Sequence, residues 1–423
     1  MKKITVILLS ISIILVFGHL SDYSVEAKEK DPIKIGVLLP LSGPLALEGG
    51  ENLRGYEIAR RLKNEKGGIW GRPLEFVKGD ASSVKAAMGE CERLITVEGV
   101  KVILGTYSSS LSFATTTIAE RYGVVYFETS AVADAITERG LSHIFRTGSR
   151  ASIYSRQAVT DVLNYVLPLL KMPSEKTRFA LVHENSTFGT SCMVAIEDEL
   201  KKKNLQIVMK EQYDNKSQDL SSVIMKCKDA NPDVLFLSQY VRDAILFNRQ
   251  SKELNFNVKV INSTAGINIT DFVKGAGRAG AEGLMATGYP PFNLNPKFGA
   301  DKIEKIYRNM YPDRDPSPYA LDAFVGAKVA LDILDRAGSL DDKVLIKSIL
   351  ETDIPMGALE NGRGAKFNPP GVEHAGQNIR SRDSFMQWQD GKLRVIGPPD
   401  MAEKGISIRT PIPTWEEKNK IFK

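Results

Sequence analysis

Residues Ile33–Leu39, IKIGVLL, form a run apolar but for Lys34 that empties into PLSGPLALEGG, a small-residue loop leading into a helical pattern. A buried strand, a loop and a helix in that order build the crevice where open α/β sheets hold their ligands. The pattern repeats: short β-rich runs alternate with amphipathic helices of 3.6-residue period, the signature of parallel βαβ units. Strands are expected at Ile33–Leu39, Leu74–Lys78, Val100–Leu104 and Val124–Phe127, then at Arg178–His183, Gln206–Lys210, Val234–Ser238 and Val258–Asn262. The polar stretch Phe145–Ser152, FRTGSRAS, divides the two series and reads as a crossing between domains. At 423 residues the chain exceeds the roughly 250–300 at which a single core stops growing. Each series therefore makes its own lobe.

The remaining segments complete both lobes. Gly283–Tyr289 reads as a strand, Pro318–Leu334 and Asp341–Leu350 as helices, and Ser384–Ile396 as a hairpin turning at Asp390-Gly391. The expected fold is α/β: two doubly wound parallel-sheet lobes joined by a multi-strand hinge. Residues 28–150 plus 284–355 form the first lobe, and 151–283 plus 356–423 the second. Several crossings make a hinge, because few residues need to change φ/ψ when lobes close.

Lys2 and Lys3 precede an apolar stretch, Ile4 to Phe17, and Val25-Glu26-Ala27 resembles a small-x-small cleavage site. The stretch is too short to cross a ~30 Å hydrocarbon layer comfortably. Residues 1–27 read as a cleavable signal peptide with no cysteine for lipid attachment, and the mature chain is expected in the periplasm. The net charge of +5 is spread along the chain, with Lys201-Lys202-Lys203 its one compact basic run, which argues against a nucleic-acid partner. Cys91 and Cys227 fall on apolar helix faces and read as small buried hydrophobes. Spacing alone does not decide whether Cys192 and Cys227 pair.

Motifs for chemistry are sparse. Neither a metal-ligand spacing of histidines nor H-E-x-x-H, C-x-x-C or G-x-S-x-G occurs. Gly275–Gly280 matches G-x-G-x-x-G, but it follows a helical pattern and leads into a strand, the inverse of a dinucleotide site, and reads as a glycine connector. No cofactor and no enzymatic activity are expected. The informative residues lie after strand ends. Gly105-Thr106-Tyr107-Ser108-Ser109-Ser110 brings hydroxyls and free N–H groups to a helix start, where they bind an anion such as a carboxylate or cap the helix. Glu128-Thr129-Ser130-Ala131-Val132, Gln239-Tyr240 and Ser263-Thr264-Ala265-Gly266 bring further small, hydroxyl-bearing and aromatic groups to the same cleft.

IGVLLPLSGPLALEGG, GTYSSS, the ETSAVADAITERG–FRTG stretch and HENSTFG resemble the leucine/isoleucine/valine-binding proteins of ATP-driven importers, in order along nearly the whole mature chain. The resemblance implies a type I periplasmic-binding-protein fold closing on a small solute, with membrane permease subunits as partners and a monomeric receptor. It implies that Ser108 holds the ligand carboxylate, that the backbone of Ser130 and Ala131 lines the same end, and that Phe188 and Tyr240 cover the ligand with Tyr107. The family's threonine falls on Val132, and the glutamate that pairs with an ammonium group falls on Thr264. Glu48 stands where the family often has an aromatic residue. It is either a replacement charge for that ammonium or an exposed first-turn acid favoured by the helix dipole. The implied solute bears a carboxylate and is a branched-chain amino acid or a relative. The alternatives are an aromatic or aliphatic acid without an amino group, or a sensing module for a membrane partner.

Overall fold

The computed structural model describes residues 31–422; the expected signal peptide lies outside the described residues. The first lobe is built from β1 (Ile33–Leu39), α1 (Ala46–Glu65), β2 (Leu74–Asp80), α2 (Val84–Thr96), β3 (Val102–Gly105), α3 (Ser109–Arg121), β4 (Val125–Glu128) and β5 (Ile144–Arg146). Its five strands run in the order β2-β1-β3-β4-β5, all parallel. β1, β3 and β4 are buried almost throughout, as strands covered on both faces by crossover helices must be.

The second lobe follows with α4 (Ala151–Asp161), β6 (Arg178–Glu184), α5 (Thr187–Lys202), β7 (Gln206–Tyr213), α6 (Ser221–Ala230), β8 (Val234–Ser238), α7 (Val241–Glu253), β9 (Val260–Ser263), α8 (Thr270–Ala281) and β10 (Met285–Gly288). The chain returns to the first lobe for α9 (Ala300–Met310), α10 (Pro318–Ala337) and α11 (Asp342–Leu350). It ends in the second with β11 (Ser384–Gln389), β12 (Lys392–Gly397) and α12 (Trp415–Ile421). The second sheet has seven strands in the order β12-β11-β10-β9-β8-β6-β7. The last two added strands are antiparallel, joined by the expected hairpin, and Asp390 and Gly391 both take positive φ, at 54° and 74°.

Four expectations need correction. The boundary at residue 284 puts β10 in the first lobe, yet Met285 and Ala286 pair with Asn262 and Ser263 of β9, so this strand belongs to the second sheet. The boundary at 356 also moves. Gln377 bridges Arg146 at the end of β5, and Ile354–Ala365 and Phe367–Asn378 bridges fold the preceding segment onto the same edge, so the first lobe extends towards Ser384. The stretch Phe145–Ser152 begins inside β5, and only its latter part crosses. Gly275–Gly280 lies within α8, which kinks at Gly277 (φ 78°), and is no loose connector.

The chain thus passes between lobes three times: after β5, after β10 and before β11. A buried ion triad pins these passages. The guanidinium of Arg363 donates to Asp322 on α10 and to Asp383 just ahead of β11, the latter at 2.7 Å. All three side chains are essentially without solvent contact, so removing one would leave an uncompensated buried charge.

The core of the first lobe depends on close contact between α1 and α10. Gly55 of α1 makes it possible: a Cβ there would stand 2.2 Å from the carbonyl oxygen of Ala320 and 2.7 Å from the Phe324 nitrogen. Gly55→Ala is therefore expected to lower stability by about 1–3 kcal/mol through overpacking, despite alanine's better helix propensity. Gly89→Ala in α2, where a Cβ meets nothing within 4 Å, should instead raise stability by about 0.4–1 kcal/mol. Urea unfolding midpoints of the two variants should move in opposite directions.

Candidate functional site

The carboxyl ends of both sheets face one another, and the loops beyond β3, β4, β8, β9 and β10 meet in a cleft. Its walls are rings. Phe188 and Tyr240 have centroids 5.3 Å apart, Tyr240 and Tyr107 6.0 Å, Tyr107 and Tyr319 5.3 Å, Tyr319 and Tyr289 5.6 Å, and Tyr289 and Tyr154 6.4 Å. These six side chains make one continuous chain across the lobes. Burial pushes the phenols of Tyr107, Tyr154, Tyr240, Tyr289 and Tyr319 above their ordinary value, which keeps them protonated. With Ser109, Ser130, Val132 and Ala265 they close over a cavity of only about 10 Å³, so the two lobes are shut on one another here.

Polar contacts join the lobes at its rim. The hydroxyls of Ser110 and Thr187 are 3.1 Å apart, the Asp134 N–H donates to Ser191 Oγ at 3.3 Å, and Tyr319 donates to Asn268 at 3.0 Å. The Tyr289 hydroxyl donates to the Ser130 carbonyl. Ser108 occupies the N-cap of α3, but its hydroxyl makes no capping bond; it lies 3.4 Å from the Tyr240 hydroxyl of the other lobe. The first N–H groups of α3 have no partner within the helix, so hydroxyl and helix start together can receive an anion.

Beneath these loops lies Glu128, fully buried at the end of β4. Its carboxylate accepts from the N–H groups of Thr106 (2.9 Å), Ser130 (2.8 Å) and Ala131 (2.7 Å), and from the Ser112 hydroxyl. Burial raises its pKa to about 7, opposed by these hydrogen bonds. One side chain thus ties the loop after β3, the helix α3 and the loop after β4. On the other side, fully buried Arg146 donates to the carbonyls of Val132 (2.9 Å) and Ala133 (2.6 Å).

Of the residues expected at the site, Tyr107, Ser130, Val132, Phe188 and Tyr240 line the cleft, and Ser108 borders it. Ser130 and Ala131 do not offer their N–H groups to a ligand, because Glu128 takes both; Ala131 is not on the wall. Thr264 is buried away from the cleft, its hydroxyl bonded to Ser238 at 2.7 Å. Glu48 lies in the first turn of α1 but is only 2% exposed, so it is no solvated acid. Burial raises its pKa to about 7, opposed by hydrogen bonds from its own N–H and that of Val241 in the second lobe, while Asp271 adds to the rise. Its charge also acts on Tyr107 and Tyr319.

Sequence reasoning missed Tyr154, Tyr289 and Tyr319. Tyr289 carried a usable signal, since it follows its strand as Tyr107 and Tyr240 follow theirs. Tyr154 and Tyr319 sit on helices, where no local pattern marks them. Among the described residues no group of three His, Cys, Asp or Glu could hold a metal, and no helix is long and apolar enough to cross a membrane. Cys91, Cys192 and Cys227 are free and buried.

If Glu128 organises these loops, Glu128→Leu leaves three backbone donors without an acceptor. At about 1–3 kcal/mol for each buried unsatisfied group, the variant should lose several kcal/mol of stability. A urea midpoint equal to that of the unaltered chain would contradict this.

Comparison with known proteins agrees with this geometry. A family model described as periplasmic binding protein matches residues 32–388. The Leu/Ile/Val-binding protein homolog 7 of Brucella abortus is 34% identical over 379 residues, covering 89% of this chain and 94% of the relative. The fold is that of the leucine binding protein LivK from Thermotoga maritima (TM-score 0.74, 21% identity, 88% of this chain and 99% of that one). It is shared with a solute binding protein of an ABC transporter from Rhodopseudomonas palustris in complex with 3,4-dihydroxybenzoic acid (TM-score 0.72, 16% identity, 91% and 99%). Two sheets, three crossings, a ring-lined cleft and a family match over most of the sequence lead to one statement: the chain belongs to the periplasmic binding proteins.

Proposed function

We propose that this chain is the extracytoplasmic solute receptor of an ATP-driven importer, and that it encloses one small carboxylate-bearing molecule with an apolar body between its lobes. The membrane permease receives the closed complex. The observation that carries this reading is the pairing, in one buried cleft, of an uncapped Ser108 hydroxyl at a helix start with a continuous wall of six aromatic rings. Ser108 and the first N–H groups of α3 hold the carboxylate; Tyr107, Phe188 and Tyr240 enclose the body.

An α-amino acid, branched-chain or related, is the leading solute. Glu48 supports it, because its carboxylate bonds no other side chain among the described residues and acts on two of the lining rings. It takes the ammonium-pairing role that Thr264 and Val132 cannot perform. A second reading, an acid without an amino group, is favoured by the lining itself, which contains no charged side chain. The relative from Rhodopseudomonas palustris, in complex with a benzoic acid, belongs with that version.

Calorimetric titration with leucine and with its deaminated counterpart, 4-methylpentanoate, tests both. Ser108→Ala should weaken either ligand by about 1.5–3 kcal/mol, the cost of losing a hydrogen bond to a charged group; unchanged affinity would overturn the anion site. The pH dependence separates the two solutes. Glu48 pairs with an ammonium group only when ionised, so leucine affinity should rise as pH climbs through about 7 and become flat in Glu48→Gln. If the deaminated acid binds more tightly across that range, the amino-acid version fails.

A further inference from the structure

The first crossing between the lobes runs from the end of β5 into α4, and a strap of the first lobe is laid along it. Gln377 donates its side-chain amide to the Gly148 carbonyl at 2.8 Å, and Asn378 donates to the Thr147 carbonyl at 2.8 Å. The Arg146 N–H donates to the Gly376 carbonyl at 2.8 Å. His374 stands at the bend of this strap with φ 59°, a left-handed conformation uncommon outside glycine in which asparagine and histidine are enriched. Its carbonyl accepts from the Gln377 N–H at 3.1 Å, so the backbone beneath the ring is held.

The ring is aimed at the crossing. Its Nδ1 lies 3.0 Å from Arg150 Nη1 and 2.8 Å from Glu138 Oε1, and those two atoms are themselves 3.2 Å apart. Arg150 starts α4 of the second lobe, and Glu138 follows the short turn Asp134–Ile136 of the first. A guanidinium only donates and stays charged, whereas a carboxylate only accepts. One ring nitrogen cannot serve both. Without a hydrogen it accepts from Arg150; with one it donates to Glu138 and, when the ring is charged, sets like charges against each other. The other charged groups here are Glu373, whose Oε1 is 3.1 Å from His374 Nε2, and Asp134, 3.7 Å from Arg150. An open groove of about 410 Å³, bounded by Thr137, Glu138, Gly371 and His374, gives protons access.

We infer that His374 is a proton-operated latch on the first crossing. Neutral, with its hydrogen on Nε2 facing Glu373, it holds Arg150 jointly with Glu138 and fixes the start of α4 to the first lobe. Protonated, it takes Glu138 Oε1 from Arg150, repels the guanidinium and releases the start of α4. Histidine ordinarily changes charge between about pH 5 and 8, so the crossing is tight at the upper end of that range and slack at the lower. The cleft feels the change through Tyr154, whose N–H donates to the Arg150 carbonyl at 3.1 Å.

Amide hydrogen exchange of the whole chain reads the latch at Ser152, Ile153 and Tyr154, whose N–H groups bond to Asp134 Oδ1 and to the Arg150 carbonyl. His374→Asn is the reference, because asparagine suits the positive φ, offers an acceptor Oδ1 in place of Nδ1 and does not titrate. Comparing the two chains at one pH cancels the intrinsic dependence of exchange on pH. They should exchange alike at about pH 8. At about pH 5 the unaltered chain should exchange about threefold faster, the modest effect expected of a partly exposed ion pair. A ratio that is the same at both pH values, or slower exchange of the unaltered chain in acid, would overturn the proposal. Nitrogen NMR of the unaltered chain gives a test independent of any variant. At about pH 8 the ring should carry its hydrogen on Nε2 and a lone pair on Nδ1; a hydrogen on Nδ1 there overturns the latch.

Discussion

The cleft depends on one buried carboxylate. Glu128 gathers donors from the loop after β3, from α3 and from the loop after β4, and so holds in place the segment that carries Ser108. Backbone groups at strand ends must find partners, because an orphaned buried N–H costs as much as a lost hydrogen bond. Here an internal acid supplies them. The device recurs in the second lobe, where Glu184 at the end of β6 accepts from the N–H groups of Ser186 and Gly189. Asp80, at the end of β2, likewise accepts from Leu41 and Ser42 and fixes the loop entering α1. Each loop that faces the cleft from these strands is thus anchored from behind, leaving its outer side free for a solute.

With the loops fixed, the lobes meet mainly through rings and hydroxyls. Such contacts suit a site that must open and shut. Aromatic pairs contribute about 0.5–1.5 kcal/mol each beyond the area they bury, and none of the hydroxyl bonds across the rim joins two full charges. The strong ionic contact, Arg363 with Asp322 and Asp383, lies instead at the crossings, where it restrains the linkers. Strength at the hinge and moderate contacts at the mouth are the arrangement a closing receptor needs, since a ligand shifts such an equilibrium only by its differential affinity for the closed state.

The fold was legible because βαβ units announce themselves locally. Ile33–Leu39 and Val234–Ser238 are strands over the expected residues, and the Asp390-Gly391 turn has the positive φ values its residue types favour. What sequence did not convey was partnership over distance. β10 reads as a strand, but only its pairing with β9 assigns it to the second lobe. The short edge strand β5 hid in a polar stretch, because three residues carry no period. At the site, Tyr107 and Tyr240 could be found from their position after strands. Tyr154 and Tyr319 could not, since a helix presents a cleft-facing tyrosine and a core tyrosine with the same spacing. Ser130 does reach the cleft wall, but its sequence neighbourhood does not announce that Glu128 holds the N–H groups of both Ser130 and Ala131. Of the two readings open for Glu48, a replacement charge or an exposed acid, its burial removes the second, and spacing could not foresee that Val241 of the other lobe would approach it.

Everything in this account converges on a solute held between the two sheets. A crystal structure of the chain grown with a ligand identified by thermal shift tests that most directly. The account predicts electron density between Tyr107, Phe188 and Tyr240, with a carboxylate on the Ser108 hydroxyl and the start of α3. Ligand density elsewhere, with the six rings packed as they are without it, would contradict it.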